Sequence, residues 1–279
     1  MKIPRVLLFY VSVISTTVVP AFAQSPDIPA ECLSGDCQNG TGTMFWDDGR
    51  KYSGTFENGL RHGVGTITFP TGRKYSGTWV RDRRTGKGEL VFPNGERFCG
   101  DFIDGRMEGE GQFTYLYGEI YVGEWRDGLR SGNGVQVLPD GRVFIGTWEE
   151  DRKHGSGTML LPGGDRYSGE FCEGRYSGFG VMYWSDGKSY VGDWHEGVPH
   201  GFGVSTFSER SKYEGMFYDG EYQGYGAWLF PDGGVYRGGW KHSKRHGRGI
   251  LYDRHGEIAQ EGVWVDDKYQ GSAMTSIPE

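Results

Sequence analysis

One register constrains this chain more than any other feature. An aromatic residue returns every 23 positions, at Tyr52, Tyr75, Phe98, Tyr121, Phe144, Tyr167, Tyr190, Tyr213 and Tyr236, with no insertion across nine copies. Two residues after each stands a glycine, from Gly54 to Gly238. Four residues after it stands Phe or Trp: Phe56, Trp79, Phe102, Trp125, Trp148, Phe171, Trp194, Phe217 and Trp240. A Gly-x-Gly pair follows, as in Gly63/Gly65, Gly132/Gly134 and Gly247/Gly249. Such a period marks an architecture of small units that bury their apolar faces only against neighbouring copies.

The opener, the first glycine and the second aromatic are spaced by two, the strand period, so all three project from one face. The Gly-x-Gly pair continues at the same spacing into two further positions, Ile67 and Phe69 in the first copy and Met182 and Trp184 in the sixth. A loop such as Asn58-Gly59-Leu60-Arg61-His62 joins the two runs, which together predict a β-hairpin. Turn sequences such as Pro93-Asn94-Gly95 and Pro139-Asp140-Gly141 join one copy to the next. Glycine inside a strand normally weakens it; here it leaves room for an aromatic ring to lie over the backbone. No 3.6-residue apolar period appears, so the expectation is an all-β, elongated, antiparallel single-sheet solenoid of stacked hairpins with about twenty strands.

The motif in Tyr121-Val122-Gly123-Glu124-Trp125-Arg126-Asp127-Gly128-Leu129-Arg130-Ser131-Gly132-Asn133-Gly134 resembles the MORN repeat at every motif position. The resemblance covers 52–258. It implies an array that serves as scaffold, dimerisation surface or lipid contact, and does not by itself choose among these.

The ends of the chain differ from the array. Residues 1–23 have a basic start (Lys2, Arg5), an apolar stretch from Val6 to Val19 and the small-x-small sequence Ala21-Phe22-Ala23, as a secretory signal peptide has. The predicted location of the processed chain is the periplasm or the medium. Removing Lys2 and Arg5 lowers the formal charge from −7 to −9, a poor balance for nucleic acid. Residues 24–51 read as a polar leader and a half-repeat cap, in which Cys32 and Cys37 are expected to form a disulfide in an oxidising compartment. Residues 259–273 read as a degenerate copy and 274–279 as a disordered tail. Within the array, Asp82, Asp151 and Ser243 replace the hairpin-loop glycine.

Catalytic chemistry finds little support. No G-x-G-x-x-G precedes a helix, and Gly187-Lys188-Ser189 lacks the upstream glycine of a phosphate loop. His195, Glu196 and His200 miss zinc-protease spacing by one residue, and Gly197 and Pro199 oppose a helix there. Cys99 and Cys172 lie three copies apart, roughly 30 Å at two strand spacings per copy, and are expected to be free thiols. The chain is therefore expected to be non-enzymatic, with no cofactor and no metal.

Two surfaces are candidates for binding. The first is the aromatic face, taken as a groove for a protein partner, a glycan or a second copy of the chain: Tyr75, Trp79, Phe98, Phe102, Tyr121, Trp125, Phe144, Trp148, Tyr167, Phe171, Tyr190 and Trp194. The second is a basic ladder along the hairpin loops, suited to anionic head groups of a membrane surface: Arg61, Arg81, Arg83, Arg84, Arg106, Arg130, Arg152, Lys153, Arg175, Lys244 and Arg245. Acids just before them, such as Asp104 and Glu150, would partly offset that charge. The leading expectation is an exported scaffold for a protein partner, with peripheral membrane binding as the alternative.

Overall fold

The computed structural model describes residues 28–272. The proposed signal peptide (1–23) and tail (274–279) lie outside the described residues. The described chain is all-β: 22 strands form one antiparallel sheet with no helix. Each strand pairs with the next in sequence, from β1 (Ala30–Gly35) and β2 (Thr41–Trp46) through β3 (Lys51–Glu57), β4 (Leu60–Thr68), β5 (Lys74–Val80) and β6 (Arg83–Val91). The same alternation of a seven- and a nine-residue strand recurs in β9 (Ile120–Arg126) and β10 (Leu129–Val137), and the meander ends at β21 (Ile258–Val265) and β22 (Lys268–Gly271).

Three local devices shape each copy. The hairpin loop is shorter than the sequence suggests. Only two residues turn, both with positive φ, as at Asn58 (52°) and Gly59 (74°). This type I′ geometry matches the twist of the flanking strands, so Leu60 to His62 are already strand. A bulge follows: β3 and β4 are in register at Gly54↔Gly65 and at Phe56↔Arg61, so His62, Gly63 and Val64 face the single residue Thr55. Gly63 sits at φ 67°, and its missing Cβ would meet Thr55 rather than the aromatic ring. The first glycine of the Gly-x-Gly pair is thus the bulge residue and leaves the aromatic face, contrary to the simple period of two. The second glycine stays on that face: the Tyr52 ring lies directly over Gly54 and Gly65.

The hydroxyl of that ring donates to a carbonyl three residues on, Tyr52 to Thr55 at 3.0 Å and Tyr190 to Asp193 at 2.8 Å. Each opener meets the second aromatic of its own copy edge-to-face and that of the following copy likewise. For Tyr121 the centroid distances are 5.3 Å to Trp125 and 5.2 Å to Trp148. The seam runs unbroken from Phe56 to Trp264 and forms the core, with edge-to-face geometry adding to the apolar area it buries.

At the N-terminal end the expected half-copy is a whole hairpin. Ala30–Gly35 is a strand with every side chain exposed, held by ladder bonds to β2. A strand with no buried face leaves no apolar alternation to read. Cys32 and Cys37 form the expected disulfide, with Cα atoms 6.0 Å apart. Cys99 and Cys172 are free and exposed. At the other end, Trp264 is buried and closes the seam on Tyr236.

Candidate binding face

The bulge bends every second strand, and the sheet arches over its aromatic side. Glu119 precedes β9, and Arg130 is paired with Trp125 near the far end of β9, yet their side chains meet at 3.4 Å across the aromatic seam. The aromatic side is therefore the inside of an arch. Three rows run along it.

The middle row is the seam. Tyr75, Trp79, Phe98, Phe102, Tyr121, Trp125, Phe144, Trp148, Tyr167, Phe171, Tyr190 and Trp194 are all between 0% and 5% exposed. These twelve side chains are core and present no surface to a partner, which corrects the groove assignment. The reason is the arch. It brings a residue at the start of each second strand down over the rings, and the rings also cover each other.

That covering row is Arg61, Arg84, Met107, Arg130, Lys153, Tyr176, Pro199, Tyr222 and Arg245, one residue per copy and half-buried throughout. Arg130 lies 4.3 Å over Trp148, Arg61 4.4 Å over Trp79 and Arg245 4.3 Å over Trp264. Tyr176 and Tyr222 stack on Tyr167 and Tyr213, both at 3.8 Å. The third row stands at the end of each second strand: Trp46, Phe69, Phe92, Tyr115, Leu138, Leu161, Trp184, Phe207 and Phe230. It too is half-buried. It is the apolar surface that the inner face offers. Its register is present in the sequence, where it merges with the pattern of the seam.

The basic loop ladder is not one ladder. Neighbours in a strand point to opposite faces, so the set divides. Arg61, Arg84, Arg130, Lys153 and Arg245 lie on the inner face; Arg83, Arg106, Arg152, Arg175 and Lys244 are exposed on the other, and Arg81 is a turn residue with φ 47°. Four of these outer cations pair with acids in the loop of the following copy. Arg83 meets Asp104 at 2.9 Å and Arg175 meets Glu196 at 3.2 Å, while Arg106 pairs with Asp127 and Arg152 with Glu173. The result is an alternating acid–base row, not a field of free positive charge.

Inside the arch, Asp82, Asp151 and Asp267 have a role that explains their departure from loop glycine. Asp151 Oδ1 accepts both the backbone N–H of Arg130 (2.9 Å) and its Nε (3.1 Å), and the Asp151 carbonyl accepts from Nη2 (3.0 Å). Arg61 with Asp82 and Arg245 with Asp267 repeat this arrangement. Ser243 accepts the backbone N–H of Tyr222 at the same place. Burial raises the opener tyrosines, Tyr52, Tyr75 and Tyr236 to about 12. Burial, then Arg142 and Arg130 beside it, push the Lys153 ammonium down to about 8, against Glu119, which opposes the shift. No group of three or more His, Cys, Asp or Glu fit to hold a metal occurs among the described residues.

The family model described as the MORN repeat matches nine segments, 52–72, 75–97, 98–115, 121–141, 144–166, 167–189, 190–211, 213–235 and 236–256. The chain belongs to the MORN-repeat family. These MORN segments begin at the nine openers of the aromatic seam. No curated protein matches the chain. Among solved structures it is similar to the SAS-4 (dCPAP) TCP domain of Drosophila melanogaster in complex with a proline-rich motif of Ana2, at 12% identity and TM-score 0.35, covering 54% of this chain and 82% of that one. It is also similar to the wild-type TCP10 domain of Danio rerio CPAP, at 12% identity and TM-score 0.27, covering 81% and 90%.

Proposed function

We propose that this MORN array is an exported, non-enzymatic scaffold that holds a protein partner along the inside of its arch. The observation that carries the reading is the half-buried apolar row from Trp46 to Phe230, one residue in the N-terminal hairpin and one in each of the first eight copies. Such a row suits an extended segment that buries one apolar side chain after another. Export is supported by the signal-like composition of 1–23 and by the Cys32–Cys37 disulfide, a bond that persists in oxidising compartments. The membrane alternative loses its main support, because acids of the following copy answer much of the loop charge.

A photo-crosslinking amino acid at Phe92 or Trp184, on the inner row, tests the proposal against Phe202, which is 53% exposed on the outer side. Discrete protein adducts in cells from the inner positions only are expected. Adducts from Phe202 alone, or none from the inner row, would overturn the reading.

A further inference from the structure

Arg84 occupies in the second copy the place that Arg130 occupies in the fourth. Arg130 is answered by two acids, Asp151 in the loop of the following copy and Glu119 just before β9. At the matching places around Arg84 stand Gly105 and Arg73. One acid has become a glycine and the other a second cation. Gly105 offers only its carbonyl, which accepts from Arg84 Nη2 at 2.6 Å. Arg73 lies 5.3 Å over Phe92, and its Nε is buried with no hydrogen-bond partner. Burial, with the charges of Arg73 and Arg61 beside it, lowers Arg84 to about 10. A half-buried pair of guanidiniums with a buried unsatisfied donor is an unfinished site, and elsewhere in this molecule carboxylates complete the same place.

In the fifth copy the same two places around Lys153 hold Gly174 and Arg142, but Arg142 is 46% exposed and already paired with Asp140 at 2.8 Å, so Lys153 is the half-buried cation left there. The two sites are three copies apart, roughly 30 Å. The half-buried Phe92, Tyr115, Leu138 and Leu161 line the interval.

The geometry points to a carboxylate station at Arg73/Arg84, with the half-buried Lys153 as a second, single-cation station, that anchors an acidic polypeptide segment lying along the inner face; this rests on the scaffold reading above and names the chemistry of its partner. Two acidic side chains about nine residues apart in an extended segment span the interval. Carboxylate is preferred to phosphate because Asp151 already shows how this arch receives a carboxylate, through a backbone N–H and Nε together.

The test uses fluorescently labelled poly-L-glutamate of about twenty residues, long enough to reach both stations, and anisotropy at physiological salt. The double change Arg73→Gln/Arg84→Gln is expected to weaken binding about tenfold or more. The outer-face control Arg106→Gln/Arg175→Gln should leave it within about twofold. A second variant guards against misfolding. Gly105→Asp supplies from within the acid that Asp151 supplies to Arg130, at a positive φ that Asp151 also adopts. It should raise the melting temperature while it weakens poly-glutamate binding. Equal loss in the outer-face control, displacement by inorganic phosphate at matched charge, or absence of binding each overturns the inference. Poly-glutamate failure with inner-row crosslinks retained removes the acidic anchors and leaves the scaffold. The reverse result removes the scaffold and leaves an anion site.

Discussion

The glycine opposite each opener is where a single atom decides the fold. A Cβ on Gly134 would stand 2.5 Å from Cε2 of Tyr121, in a ring wedged between Trp125 and Trp148. Neither neighbour can retreat without opening the seam, so Gly134→Ala should cost about 3 kcal/mol or more. Gly141→Ala is the contrast: φ is +88° in the connecting turn, but the nearest atom to a new Cβ is Pro162 Cγ at 3.9 Å. That change incurs only left-handed strain, about 1 to 2 kcal/mol. Urea denaturation of the two variants checks the order, and equal midpoints would contradict it. The tyrosines make a second prediction at this scale. Their folded values near 12 lie above the ordinary value of 10, so the stabilisation they give is complete below pH 10. It is lost as pH rises from 10 toward 12, because the unfolded chain releases those protons first. Tyrosinate absorbance and the far-ultraviolet signal should therefore change together above pH 10. Tyrosinate forming well before unfolding would show that these rings are not sealed.

At the scale of the hairpin, the ion pairs between copies differ in strength with their surroundings. Asp151 holds the backbone and side chain of a half-buried Arg130 on an indole ring, so Asp151→Ala should cost about 2 kcal/mol. Asp104 and Arg83 are 64% and 68% exposed, and Asp104→Ala should cost well under about 1 kcal/mol. Thermal melting of the two variants at low and high salt checks this, and similar losses would sink the distinction. The hairpins themselves were legible from the sequence, because Tyr121, Gly123 and Trp125 keep strict strand spacing and Gly134 repeats it. The bulge was not legible. It inserts a left-handed glycine at Gly132, which looks like one more member of the same period and in fact points to the other face. The arch was hidden for the same reason. Without it, Glu119 and Arg130 stand near opposite ends of one hairpin with no reason to meet, and the basic residues project as one ladder instead of two faces. The buried state of Trp125 and Trp148 follows from the arch and reverses their assignment as contact surface.

At the scale of the molecule, stability of a stacked array is near to a sum over copies and the interfaces between them, and the identity of the residues that meet across a new joint should decide how a deletion is tolerated. Removing 167–189 takes out one whole copy. It brings Trp194 against Phe144 in place of Phe171, Glu196 opposite Arg152 in place of Glu173, and Gly197 beside Lys153 in place of Gly174. Each of these contacts has an equivalent, and the half-buried Thr158–Ser168 hydroxyl pair is lost because Val191 takes the place of Ser168. Removing 121–143 takes out an equal length and keeps the seam, since Trp148 then meets Phe98. It also deletes Arg130 and leaves the Asp151 carboxylate over Met107, with the backbone N–H of that residue as its remaining partner. The second deletion should be the less stable of the two by about 1 to 3 kcal/mol, the cost of a partly buried acid that has lost its cation. Both should keep a β spectrum and a single cooperative transition. A deletion of roughly half a copy, 121–132, puts the openers out of step with their glycines and should not fold. Urea titration of the three proteins decides the matter: equal stability of the two whole-copy deletions would mean that the Arg130–Asp151 contact adds nothing to the array, and a folded half-copy deletion would mean that the register of ring over glycine is not what holds the copies together.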